Sequence, residues 1–279
     1  MVDYHLCAFA DEADPALSGQ IRAMLDNGIT QLEMRGVNGI NVAKLTAAEA
    51  RDARRELDAA GITVWSLGSP AGKTPITDPF DFEEEQFKRL LETADITGAH
   101  CIRLFSFYNT DGKAEYRDEV LSRLARFAEL AKGSGVVLCH ENEKGIYGDV
   151  ASRCLEIHKA LPEIKGVFDP ANFVQCNEDT VKAWEMLEPY IYYGHIKDAR
   201  RDGRVVPPGE GDGQLATYLK GFFKGERRVL TLEPHLKHFI GLGELEGESK
   251  TVIEKVRFDD NRTAFDFAVA SLKKILEVL

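Results

Sequence analysis

Short apolar runs alternate with longer stretches of helical periodicity along the whole chain. The strand-like runs fall at residues 4–9, 31–34, 62–67, 101–105, 136–140, 164–168, 190–194 and 229–232. Each is followed by a stretch in which apolar residues recur every three or four positions between charged ones: 17–26, 46–60, 83–97, 115–132, 150–160, 180–187, 215–223 and 262–278. A short, nearly continuous apolar run suits a strand buried on both faces, and the longer amphipathic stretches suit helices packed outside it. Strict alternation of the two predicts a parallel sheet. Eight such units predict an α/β fold, a single (β/α)8 TIM barrel spanning residues 1–279 as one domain.

Loop lengths give this barrel a polarity. Helix-to-strand connections are short and carry glycine where a helix ends, as at Gly28, Gly61, Gly98 and Gly133. Strand-to-helix connections are long at residues 68–82, 198–213 and 236–258, which places an active-site rim at the C-terminal ends of the strands.

Composition narrows the class. The chain is 44% hydrophobic, enough for a large core, and carries a net charge of −11 without a basic run. That charge argues against binding a nucleic-acid backbone. No signal-peptide pattern or run of 18 apolar residues is present, so neither export nor membrane insertion is expected. The five cysteines form no C-x-x-C pair, and three sit in apolar runs, as befits buried thiols in a reducing cytoplasm.

The candidate chemistry lies at the ends of the last four strands, where Glu141, Asp169, His195 and Glu233 follow successive apolar runs. Any one of these reads as an ordinary helix-preceding or packing residue. Four at corresponding positions of neighbouring barrel strands converge on one point. Three carboxylates and an imidazole suit one divalent metal ion, Mn²⁺ first, with Mg²⁺, Co²⁺ or Zn²⁺ as alternatives. Side-chain alternation puts Tyr193 with His195, and Thr231 with Glu233 and His235, on common faces. It also puts Glu141 and Glu143 on one face, so periodicity alone leaves the choice between them open.

The strings His140-Glu141-Asn142-Glu143, Phe168-Asp169-Pro170-Ala171-Asn172-Phe173, His195-Ile196-Lys197-Asp198, Pro208-Gly209-Glu210-Gly211-Asp212 and Leu232-Glu233-Pro234-His235 resemble those of the xylose isomerase-like superfamily. Ala8-Phe9-Ala10-Asp11-Glu12 and Glu33-Met34-Arg35-Gly36 are compatible with it. That superfamily includes sugar isomerases and 3-epimerases, inosose dehydratases and endonuclease IV. The resemblance implies Glu141, Asp169, His195 and Glu233 as the metal ligands, and so selects Glu141 over Glu143. By resemblance to the 3-epimerases, Glu141 and Glu233 are also the catalytic acid and base. Where many relatives have a histidine three residues beyond the Asp, this chain has Asn172, and strands two to four end without histidine. A trinuclear phosphodiesterase site is therefore poorly supported.

The implied activity is that of a metal-dependent enzyme, a sugar or sugar phosphate isomerase or epimerase in carbohydrate metabolism. It would move a proton alpha to a carbonyl through an enediolate. A dehydratase acting on an inosose or keto-sugar shares the first step, and a noncatalytic sugar-binding subunit is the alternative from another class. Relatives are often dimers or tetramers, which leaves a homo-oligomer open.

Polar residues near the barrel mouth supply substrate-binding candidates: Glu33, Arg35, Ser66, Arg103, Asn172, Lys197 and His235. Lys197 and Asp198 are read either as an internal ion pair or as substrate contacts. Lys73 is read as a solvated lid residue, and residues 209–213 as a rim loop whose two acids would repel phosphate. Trp65, Phe105, Phe107 and Tyr108 are read as wall or core aromatics.

Overall fold

Eight parallel strands close on themselves in chain order: β1 (His5–Ala8), β2 (Gln31–Met34), β3 (Thr63–Leu67), β4 (Cys101–Leu104), β5 (Val137–Glu141), β6 (Lys165–Phe168), β7 (Ile191–Ile196) and β8 (Val229–Leu232). The structure, a computed structural model, describes residues 4–225, 229–245, 252–253 and 257–279. Pairing of β1 with β8, Cys7 opposite Thr231 and Ala8 opposite Leu232, seals the barrel. Eight principal helices run between the strands: α1 (Leu17–Asp26), α2 (Ala47–Ala59), α3 (Asp81–Thr97), α4 (Arg117–Ala131), α5 (Ala151–Ala160), α6 (Thr180–Leu187), α7 (Leu215–Phe222) and α8 (Asn261–Glu277). The fold is the expected (β/α)8 barrel.

Local sequence explains where several helices begin and end. Thr46 accepts a hydrogen bond from the Glu49 N–H while the Glu49 side chain accepts from Thr46, a reciprocal cap that starts α2. Asp179 and Asp260 cap α6 and α8 one way only, each accepting from N–H groups of the first turn. α3 stops at Gly98, whose φ of 70° a side-chain-bearing residue adopts only at a cost.

Two separate apolar regions hold the barrel. Between strands and helices, side chains such as Leu67, Leu90 and Phe127 form one continuous buried layer, with the Phe87 and Phe127 ring centroids 4.5 Å apart. Inside the barrel, Cys7, Cys101, Cys139, Val167, Tyr193 and Val229 fill the lumen. Four of the five cysteines are buried and all are free thiols.

Two register shifts shape the barrel floor. Leu32 pairs with Val64 but Glu33 with Ser66, which leaves Trp65 as the extra residue. Gly166 pairs with Ile191 but Val167 with Tyr193, which leaves Tyr192 extra. Each bulge re-aims one ring, and the Trp65 and Tyr192 rings stack 5.9 Å apart at an interplanar angle of 13°.

Strict alternation gives way at the barrel mouth. A short hairpin (Gly36–Val37 with Ile40–Asn41) follows β2. A three-stranded patch (Asp198–Ala199, Arg204–Val206, Val252–Ile253) joins the loops after β7 and β8. Long loops carry many backbone polar groups, and pairing with one another satisfies them. Two strands also run further than their apolar runs: β5 includes Glu141, which pairs with Val167, and β7 includes His195, which pairs with Thr231. The apolar runs stop just short of both residues, but the ladder continues because neighbouring strands satisfy their backbones.

Candidate metal centre and active site

Barrel closure brings four donors from four consecutive strands to one place. Glu141 ends β5, Asp169 follows β6, His195 lies near the end of β7, and Glu233 follows β8. None is more than 3% exposed. Asp169 is also the N-cap of a short helix (Pro170–Gln175), where its Oδ1 accepts from the Asn172 N–H at 3.1 Å. His195 Nδ1 lies 3.0 Å from Glu141 Oε1, 3.4 Å from Glu233 Oε2 and 4.0 Å from Asp169 Oδ2. One ligand atom from each of the four lies within 4.8 Å of all the others. Two ligands held about 2.0–2.5 Å from one ion are separated by no more than about 5 Å, so the spacing suits a single divalent cation. Glu143 lies outside this group.

The charge balance points the same way. Asp11, Glu12, Glu33, Glu141, Asp169 and Glu233 are buried at the mouth beside three buried cations, Arg35, Arg103 and Lys197. Burial pushes the Asp169 carboxyl up to about 6 and the Glu12 carboxyl up to about 8, against the pull of Lys197 and Arg35 respectively. Burial alone would lower His195, but Glu141 and Glu33 hold it well above its ordinary range. Glu233 is likewise pushed up by burial, yet Lys197 and His235 outweigh it and keep it well below the usual carboxylate range. Two oxygens of the group, Glu141 Oε2 and Asp169 Oδ2, accept no aligned hydrogen bond although both are buried. Their nearest cations, Arg103 Nη1 at 3.2 Å and Lys197 Nζ at 2.9 Å, are in ionic contact only. Buried carboxylate oxygens of this kind fit a cation site.

Asn142 ties together the turn that follows Glu141 and the turn that carries Asp169. Its Oδ1 accepts from the Asp169 N–H and its Nδ2 donates to the Asp169 carbonyl, both at 2.9 Å. Asn172 donates to the Asn142 carbonyl at 2.9 Å and reaches Glu141 Oε1 at 3.4 Å. Asn172 thus stands beside the quartet, bonded to the loop that carries it.

The other expected substrate residues separate into two groups. Arg103 and Lys197 line the cleft above the quartet, with Glu141, Glu233 and His235. Arg103 Nη1 lies 3.2 Å from Glu141 and 3.8 Å from Glu233, so its guanidinium spans the two glutamates. Lys197 Nζ lies 2.9 Å from Asp169 and 3.2 Å from Glu233. Glu33 and Ser66 are turned toward protein, while Arg35 borders a separate cavity of about 210 Å³ with Asp11, Ile40 and Phe239. Glu33 meets His195 Nε2 and the Tyr193 hydroxyl, and Ser66 lies 3.3 Å from that hydroxyl. Arg35 is held by Asp11, Glu12 and Glu233 between the Phe9 and Phe239 rings. His235 donates its backbone N–H to Glu12 at 2.7 Å from a left-handed backbone of φ 46°. Its Nε2 stands 3.4 Å from Glu233 Oε1.

Two readings are corrected. Lys73 is no solvated lid residue: its side chain is 6% exposed, 3.2 Å from Glu143 Oε2 and 4.3 Å above the Phe105 ring. Lys197 and Asp198 do not pair with each other. Successive residues leave a strand in opposite directions, so Lys197 enters the site while Asp198 turns to its own loop. Asp198 accepts from the N–H groups of Ala199, Gly209, Gly211 and Gly213 at 2.9–3.0 Å. This nest of amides is filled by a carboxylate of the chain itself, and the loop shapes the rim.

Three contributors carry no mark in the sequence: Lys144, Gln175 and Val205 line the cleft beside Glu143, Lys73 and Tyr108. Asn142 was marked only as part of its string, and Tyr193 only by sharing a face with His195.

The architecture and its buried acid–imidazole cluster define a (β/α)8 barrel with a metal-type site at the mouth. The chain belongs to the family described as the xylose isomerase-like TIM barrel, whose profile matches residues 21–235. No curated protein matches the sequence. Among solved structures the fold is similar to that of an L-ribulose 3-epimerase, at a TM-score of 0.76 and 17% identity over 100% of this chain and 95% of that one. It is also similar to the probable 3-DHS dehydratase AsbF involved in petrobactin synthesis from Bacillus anthracis, at 0.73 and 15% over 98% of both chains. A third likeness is to the IOLI protein with a binding zinc atom, at 0.74 and 14% over 98% of both. At these identities the likeness is one of fold.

Proposed function

We propose that the protein is a divalent-metal-dependent isomerase or epimerase acting on a small sugar or sugar phosphate. The observation that carries this reading is the placement of Glu141 and Glu233 within one four-donor cluster, open to a polar cleft and spanned by Arg103. Glu141, Asp169, His195 and Glu233 would hold the ion, with Mn²⁺ preferred and Mg²⁺, Co²⁺ or Zn²⁺ as alternatives. A divalent ion there would polarise a carbonyl and offset negative charge developing on its oxygen.

The chain's own groups account for the rest. One glutamate takes the proton from the carbon beside the carbonyl, which gives an enediolate. The other returns a proton, to the opposite face of that carbon for epimerisation or to its neighbour for isomerisation. Arg103 and Lys197, both cationic and facing the cleft, counter the negative charge of that intermediate. Glu233 enters the cycle as a carboxylate, since the Lys197 ammonium holds it ionised despite burial.

Incubation of the Mn²⁺-loaded protein with ketoses in D₂O tests the reading. Deuterium should enter the carbon beside the carbonyl without loss of water, and Glu233→Gln should lose turnover by roughly 10²–10⁴-fold, the usual weight of a general acid or base. A new unsaturated chromophore would indicate a dehydratase instead. Full turnover in Glu233→Gln would remove the acid–base role.

A further inference from the structure

His195 has two ring nitrogens in two different environments. Nδ1 faces the three carboxylates of the quartet, while Nε2 faces a different acid, Glu33, at 3.1 Å. A metal-binding imidazole nitrogen must present a lone pair, so the proton must sit on the other nitrogen. Glu33 Oε2 is the acceptor for that proton.

Glu33 is itself held. Its Oε1 accepts from the Tyr193 hydroxyl at 2.8 Å, and that hydroxyl lies 3.3 Å from Ser66 Oγ. These groups come from β2, β3 and β7, and Glu33, Ser66, Tyr193 and His195 are all 0% exposed. The imidazole cannot easily turn. The edge of the Phe9 ring meets it at 5.4 Å between centroids, and the Tyr193 ring does so at 5.6 Å. A carboxylate that accepts the ring proton makes the histidine a stronger electron donor as well as fixing which nitrogen carries hydrogen.

We propose that Glu33, tied down by Tyr193, is a positioning residue that keeps the His195 proton on Nε2 and thereby presents Nδ1 to the cation. It acts through His195 and does not contact substrate. The inference rests on the metal reading above, and its test separates the two. Mn²⁺ affinity is measured by titration calorimetry for the wild type, Glu33→Gln and Tyr193→Phe. Long-range ¹H–¹⁵N spectra are recorded on the Zn²⁺-loaded, histidine-labelled proteins.

Loss of such a partner weakens metal binding by about 10–100-fold, and a loss in that range is the result expected for Glu33→Gln. A smaller loss is expected for Tyr193→Phe, which leaves the carboxylate in place. The wild-type spectrum should show hydrogen on Nε2 and metal on Nδ1, with the Nε2 resonance displaced in Glu33→Gln. A residue that only supports packing would not move that resonance. Should Glu33→Gln fail to fold, Tyr193→Phe decides, by weakened or unchanged affinity. Wild-type affinity and unchanged ring signals in the folded variants would overturn the positioning role and leave the metal site standing. Failure of the wild type to bind Mn²⁺ or Zn²⁺ would overturn both.

Discussion

Asn142 and Asp169 exchange two hydrogen bonds of 2.9 Å, one in each direction, between a side-chain amide and a backbone peptide. The amide stands in for the next rung of the β5–β6 ladder just beyond the point where the strands end. It fixes the spacing between Asp169, whose own peptide groups it binds, and Glu141, the residue before it.

Replacing Asn142 by Ala therefore strands a buried N–H and a buried carbonyl. At about 1–3 kcal/mol for each buried polar group left without a partner, the variant should lose roughly 2–5 kcal/mol of stability. Denaturant midpoints for the two proteins check this. A loss below about 0.5 kcal/mol would show that water replaces the amide without cost.

Ion binding should stabilise the fold. A ligand present at about 100 times its dissociation constant adds roughly 2.7 kcal/mol, so millimolar Mn²⁺ should raise the melting temperature if the constant is in the micromolar range. Asp169→Asn removes one ligand charge and should abolish most of that rise. Equal thermal shifts in both proteins would place the ion elsewhere.

Acid sensitivity should arise partly from two histidines outside the site. Burial pushes His140 well below its ordinary range and His158 down to about 4. Unfolded, each takes a proton near pH 6.5; folded, each resists it until the pH is much lower. Their contribution is therefore complete above pH 6.5 and is lost as the pH falls toward 4. Its slope is at most about 1.4 kcal/mol per pH unit for each histidine. His158→Phe should have a flatter dependence of stability on pH between 6.5 and 4 than the wild type, as read from urea unfolding at several pH values. Identical slopes would show that His158 titrates normally in the folded protein.

The rim loop should depend on its glycines. A Cβ on Gly211 would come within 2.3 Å of Asp198 Oδ1 and 2.6 Å of the Ala199 carbonyl. Gly211→Ala should displace the Asp198 carboxylate from its amide nest. Amide hydrogen exchange across residues 198–213 should then quicken by at least tenfold, while exchange in β2 to β5 is unchanged. Wild-type protection in the loop would mean that it accommodates the methyl group by shifting.

The barrel was legible because its signal is local. Apolar runs of strand length and amphipathic stretches of helix length depend on near neighbours, so eight alternating units could be counted directly. The ladders run one or two residues beyond the apolar runs at Glu141 and His195, because backbone pairing does not depend on side-chain polarity. The four-donor cluster was legible because one position recurs four times. Lys73 was misread because no local pattern reveals that the loop after β3 folds back over Phe105 toward Glu143. Lys197 and Asp198 were left between an ion pair and substrate contacts, because spacing alone does not show that the two side chains leave the strand on opposite sides.

The sequence by itself determined the alternation of elements, the polarity of the barrel and the kind of donor each late strand delivers. All of these follow from spacing along one chain. Only the tertiary structure decided what each donor faces. Glu33 and His195 meet across 162 positions of sequence, and Arg35 reaches Glu233 across 198. Closure of a sheet into a ring makes such neighbours, and no local pattern specifies them.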